Sequence, residues 1–170
     1  EGFAVDAVIA KIDIVSNALG VPEKGAALAA GVRKDIEAAR LAARDLKSKR
    51  VLFILSMQGD RVLAGGSNSA AQGIIDLVGA ENAVSGFEGY KMLTDEAIVL
   101  SEADVVLLMD RTGDMGVSDE QLFAHPAIAS TPAGQAKSVI RMDGMLMLGF
   151  SVRTAEAVST LAQALQETGS

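Results

Sequence analysis

Arg50-Val51-Leu52-Phe53-Ile54-Leu55-Ser56 is an unbroken apolar run of strand formers with a polar residue at each end. Asp104-Val105-Val106-Leu107-Leu108-Met109 repeats the pattern, and Ser138 to Met142 repeats it more briefly. A strand with one wet face alternates in polarity. A continuous run instead predicts a strand covered on both faces, as in parallel sheets flanked by helices. The segments between these runs carry helix signals. Ser67 and Asn68, after Gly65-Gly66, lead into a helix over about 69–79 that Gly79 ends. Thr94 caps a second helix, with Asp95 and Glu96 in its first turn where the helix dipole favours them. Ser118 with Gln121 spells a capping box, and a final helix is predicted over about 154–167. His125-Pro126 and Thr131-Pro132 read as the punctuation of a loop. Met57-Gln58-Gly59-Asp60 is a turn, with Arg61 to Ala64 returning as a short strand. Strands alternating with helices predict an α/β fold: a small Rossmann-like lobe with a mostly parallel sheet.

Two helices precede this alternation. Val5, Ile9, Ile12, Val15 and Leu19 recur at steps of three and four, so residues 3–19 are predicted helical. Gly20 ends that helix and Pro22 opens another, over about 22–47, seamed by Leu28, Val32, Ile36, Ala39, Ala43 and Leu46. At 1.5 Å per residue the second helix is about 40 Å long. The expected organisation is a helical region over 1–48 bracing an α/β lobe over 49–170.

The 170 residues fit one domain. The formal charge is −7, and nucleic acid as main partner is disfavoured because it demands clustered Lys and Arg. Cysteine is absent, which removes disulfides, thiolate metal sites and a Cys nucleophile. No segment reaches the roughly 18 apolar residues of a membrane span. Glu1-Gly2-Phe3-Ala4-Val5-Asp6 has neither the basic region nor the cleavage site of a signal peptide.

Five places could carry chemistry. Gly65-Gly66-Ser67-Asn68-Ser69 comes close to the nucleophile elbow G-x-S-x-G, and Ser67, Asp110 and His125 follow the chain order of an α/β-hydrolase triad. The closing residue is Ser69 rather than Gly, and the sole His stands before a proline, so a helix cap after a tight turn is the plainer reading. The same loop lacks a dinucleotide fingerprint and a P-loop, though amides at a helix start can receive an anion. For metal, His125 has no partner at ligand spacing, and Asp110 and Asp114 sit in a glycine-containing loop that reads as structural. Arg111 follows the strand ending at Met109-Asp110, and ligands of open α/β sheets sit beyond the strands' carboxyl ends. Arg111 therefore either faces a ligand through its charged fork or pairs at the surface with Asp110 or Asp114. Lastly, Met57-Gln58-Gly59, Phe87-Glu88-Gly89-Tyr90-Lys91 and Met145-Leu146-Met147-Leu148-Gly149-Phe150 place Met and aromatic residues in strand-end loops. They suit either a large flat apolar ligand or core packing.

Those segments, with Arg50–Ser56, Gly79-Ala80-Glu81-Asn82-Ala83, Thr131-Pro132-Ala133-Gly134 and Met142–Thr154, occur in an order that resembles the C-terminal half of periplasmic haem (hemin)-binding proteins of ABC importers. The resemblance implies a two-lobed, non-catalytic carrier in the periplasm, with haem held in the cleft and handed to a permease with its ATPase. This chain looks like the interlobe helix plus the second lobe. The tyrosine that ligates iron is then expected in the first lobe, with no metal ligand here. By the same resemblance Arg111, Tyr90, Met57 and Arg153 are haem-binding, with Arg111 close to the ligand tyrosine or the haem. Tyr90 falls where related cobalamin-binding proteins place an aromatic pocket residue. Glu81, then Glu88, match the carboxylate that docks on permease arginines. Ser151-Val152-Arg153 departs from the family's Gly-Pro-Arg, leaving a less rigid loop. A binding protein for cobalamin or an iron-siderophore is the alternative, ahead of a Ser67-dependent hydrolase and of a lobe that serves only assembly.

Overall fold

The computed structural model describes residue 3 and residues 5–43, 49–110 and 116–168. Its strands are β1 (Arg50–Gln58), β2 (Arg61–Gly65), β3 (Glu81–Asn82), β4 (Tyr90–Met92), β5 (Val105–Asp110) and β6 (Val139–Asp143). They form one sheet in the order β4-β2-β1-β5-β6, with β3 beside the start of β1. β1, β3, β5 and β6 run parallel, whereas β2 and β4 are antiparallel additions on one side. Val51, Leu52, Phe53 and Ile54 have no exposed surface, as the unbroken apolar run requires.

Side-chain alternation divides the interior into two layers. Val51, Phe53, Val105, Leu107, Ile140 and Met142 face a layer covered by α1 (Val5–Ala18), α2 (Pro22–Ala42), α3 (Ala70–Leu77), α8 (Gly144–Leu148) and α9 (Thr154–Glu167). Leu52, Ile54, Val106 and Leu108 face the other layer, with α4 (Asp95–Ser101), α5 (Asp119–Ala124), α6 (Pro126–Ala129) and α7 (Pro132–Ala136). The leading helices are joined to the first layer: Val8, Ile12, Val32 and Ile36 share a buried cluster with the sheet, and α2 lies along α9. α1 and α2 cross closely at Gly25, where a Cβ would stand 2.0 Å from Ser16 Oγ.

Two local expectations need revision. The residues around His125-Pro126 and Thr131-Pro132 are not loop but two short helices, because each proline sits at a first helical position where its missing N–H costs nothing. Residues 144–148 are also helical, since the Asp143 carboxylate accepts the Leu146 N–H at 2.7 Å and caps them. α2 runs to Ala42 with Ala43 following as its C-cap, and residues 44–47 of the expected helix lie outside the described residues. The caps at Thr94 and Ser118 form as read, while the cap of α3 is Ser69, whose Oγ accepts the Gln72 N–H.

Candidate functional site

The carboxyl ends of β5 and β6 lie side by side, with Asp110 in register with Asp143. Next to them β1 and β2 extend as a hairpin closed by Gly59-Asp60. Gly59 has φ +58°, the positive value needed at the first central position of a II′ turn, which suits the right-handed strand twist.

An irregularity in this hairpin decides which side chains meet. Ile54 pairs with Ala64 but Ser56 pairs with Leu63, so Leu55 is an extra residue in β1. A bulge of this kind shifts the alternation beyond it. Met57, opposite Val62, consequently turns into the layer of Leu52 and Ile54. Ser56 and Leu63 turn to the layer of Phe53. In β4, Met92 pairs with Leu63 and Tyr90 pairs with Gly65, so Tyr90 and Met92 share that face. Ser56, Leu63 and Met92 are half-buried and belong to neither buried cluster, and Tyr90 is 40% exposed. Leu63, Tyr90 and Met92 together form an apolar patch along the β4 edge of the sheet, below the hairpin turn.

Tyr90 is the stiffest part of this patch. Its ring meets Phe53 edge-on, with centroids 6.4 Å apart. Burial pushes the phenol above the usual tyrosine range, and the backbone N–H groups of Ala71 and Ala70 at the start of α3 pull it only partly back. The side chain is thus a neutral phenol at physiological pH, with its hydroxyl toward α3. It offers ring surface for stacking rather than a phenolate.

The remaining expected residues scatter. Arg111 directly follows β5 and lies outside the described residues. Arg153, at the start of α9, is exposed and holds Glu156 through two 2.9 Å hydrogen bonds, Nε to Oε2 and Nη2 to Oε1. That partner raises the guanidinium's pKa and lowers the carboxylate's. Glu81 is exposed and in register with Arg50, at the amino end of β1. Glu88 is exposed and bridges Ser67, just past the end of antiparallel β2, so it also lies toward that amino end. Asp95 and Glu96, by contrast, are exposed beside the hairpin: the Leu93 N–H donates to the Val62 carbonyl just before them. Ser67 Oγ donates to the Phe87 carbonyl at 2.8 Å, and the His125 ring is bonded to the Asp60 carbonyl, so the two are engaged separately. Among the described residues no three His, Asp or Glu side chains gather as a metal site, and no helix is long and apolar enough to cross a membrane.

Sequence reading missed Leu63 and Met92. The strand Arg61 to Ala64 is readable, but which of its side chains share a face with Tyr90 rests on pairings with distant segments. An α/β sheet with one open, apolar, aromatic-bearing edge and exposed carboxylates nearby is built to bind. Residues 1–146 match the model of the family described as periplasmic binding protein.

The chain belongs to the periplasmic binding protein family.

Solved structures of this kind extend the match. The binding-protein chain is 38% identical to a periplasmic haem-binding protein, BhuT, solved in complex with two haems, over 100% of its own length, with a TM-score of 0.94. It is 32% identical over 98% of its length to the periplasmic haem-binding protein RhuT from Roseiflexus sp. RS-1, with a TM-score of 0.90. HutB of Vibrio cholerae, a periplasmic haem-binding protein, is 28% identical over 95%, with a TM-score of 0.84. The chain spans 65%, 65% and 64% of the lengths of these three proteins. No curated protein matches it.

Proposed function

We propose that this chain is one lobe of a periplasmic substrate-binding protein that carries haem to an ABC permease and its ATPase, with no chemistry performed on the cargo. One observation carries the reading: 38% identity along the entire chain to a protein described as binding haem. The patch of Leu63, Tyr90 and Met92 agrees with it, because a porphyrin presents a broad apolar face that an aromatic edge and flexible thioethers can follow. The second face of the disc is covered by a further lobe that also supplies the axial tyrosine. Arg111, next in sequence after β5, is assigned to that tyrosine or a propionate, because a cation there favours the anionic partner. Arg153 meets a propionate only by leaving Glu156, so its part is secondary. Met57 is assigned to packing on the opposite layer. For docking, a permease that receives ligand from the open end of the sheet touches that end, so Glu96, beside the hairpin, is favoured as the docking carboxylate over Glu81 and Glu88 at the amino end.

The test is a hemin titration of the two-lobed protein followed at the Soret band. Saturation at micromolar hemin or below is expected, with much weaker binding by the 170-residue chain alone. A flat Soret response together with binding of cobalamin or a ferric siderophore would replace haem as the cargo.

A further inference from the structure

We infer that His125 is a positioning residue that clamps the ligand-facing hairpin, an inference that rests on the patch being the ligand floor. His125 is the single histidine of the chain and is 2% exposed. Its Nε2 lies 3.0 Å from the Asp60 carbonyl oxygen. A carbonyl only accepts, so Nε2 carries the proton and donates. Nδ1 is buried without a partner, which leaves the Asp60 bond as the ring's one hydrogen bond among the described residues.

Asp60 is the second residue of the turn between β1 and β2, and the Ser56–Leu63 pair stands just below it in the ladder. Apolar packing does little for this turn. A hollow of about 270 Å³ lies between it and α5, lined by Met57, Gly59, Asp60, Val117, Gln121 and His125. The imidazole reaches the turn where packing is thin. Its own base is rigid: His125 closes α5, precedes Pro126 at the start of α6, and is held extended by that proline. The Asp95 carboxylate at the start of α4 stands 3.8 Å from the same Nε2, too far for a second hydrogen bond. One buried side chain therefore references the hairpin, and with it Leu63, to the α5–α6 junction.

The test compares His125→Phe, which keeps a ring without the donor, and His125→Gln, which keeps a donor near the Nε2 position. Hydrogen exchange of the chain is read at amides 56–63 and, as an internal standard, at β5. Loss of one net hydrogen bond predicts about five- to tenfold faster hairpin exchange in His125→Phe with β5 unchanged. His125→Gln restores the protection. Hemin affinity of the two-lobed protein falls and recovers in parallel. Unchanged hairpin protection in His125→Phe, or equal loss in hairpin and β5, would overturn the clamp. If His125→Phe does not fold, His125→Gln decides alone: hairpin protection kept supports the clamp, and protection lost overturns it. A wild-type protein that ignores hemin removes the haem reading, while the exchange arm still judges the clamp.

Discussion

Truncation of Tyr90 is the most direct probe of the apolar patch. The residue is 40% exposed, so a ligand lying on the patch would cover that remainder. For an aromatic residue burying roughly 200 Å², two-fifths is about 80 Å². At about 25 cal/mol per Å² this amounts to about 2 kcal/mol, or about a 30-fold loss of affinity in Tyr90→Ala. Tyr90→Phe keeps the ring and its edge contact with Phe53, and its hydroxyl points to α3 rather than to the cargo, so affinity should stay within about threefold. The assay is a Soret titration of the two-lobed protein, with thermal melts showing that each variant is folded at the titration temperature. A Tyr90→Ala variant that binds hemin as tightly as wild type would refute the patch as the ligand floor. A Tyr90→Phe variant that loses the Soret shift would refute the stacking role, because it would make the phenol oxygen an iron ligand.

Four further outcomes are expected. The folded phenol of Tyr90 titrates above its unfolded value, so its contribution to stability is complete below the ordinary tyrosine range and is lost as pH rises through and beyond it; alkaline melts of Tyr90→Phe should fall less steeply than those of wild type. Arg111→Ala should weaken hemin binding about tenfold, the scale of one charge-assisted contact, whereas Arg153→Ala, whose fork is occupied by Glu156, should stay within about twofold; equal losses would place both at the ligand. Gly25→Val should lower stability by about 1–3 kcal/mol in urea unfolding, because the added carbon lands on Ser16, and an unchanged midpoint would mean the helix pair yields freely. Glu96→Lys should reduce transporter ATPase stimulation with hemin affinity unchanged, and more than Glu81→Lys does; the reverse order would move the docking face to the amino end of the sheet.

The fold was legible where physics is local or strongly patterned. The buried strands announce themselves because a doubly covered strand tolerates no polar side chain, as at Val51–Ile54 and Val105–Leu108. Thr94 and Ser118 were readable because a cap depends on a few adjacent residues. The short helices after Pro126 and Pro132 were not, since the same prolines punctuate loops and start helices equally well. The site was harder still. Tyr90 could be singled out as the only phenol, but its neighbours are fixed by pairings between segments far apart in sequence, Leu63 with Met92 and Gly65 with Tyr90. Met57 reads as a rim residue from its place at a strand end, yet a bulge two residues earlier in its own strand turns it to the other layer. The partner that occupies Arg153 follows from rotamers at the start of α9, which composition does not encode.

The extra residue at Leu55 has a wider meaning for how such a lobe changes its cargo. Because a single unmatched position sets the phase of the whole hairpin, one residue inserted between Leu63 and Ala64 would give Leu55 a partner and swap the roles of the two surfaces at a stroke. The thioether of Met57 would be delivered to the mouth and Ser56 and Leu63 withdrawn, with the central strands untouched. A lineage can thus re-line its mouth by one codon's insertion, leaving the scaffold that carries the load as it was.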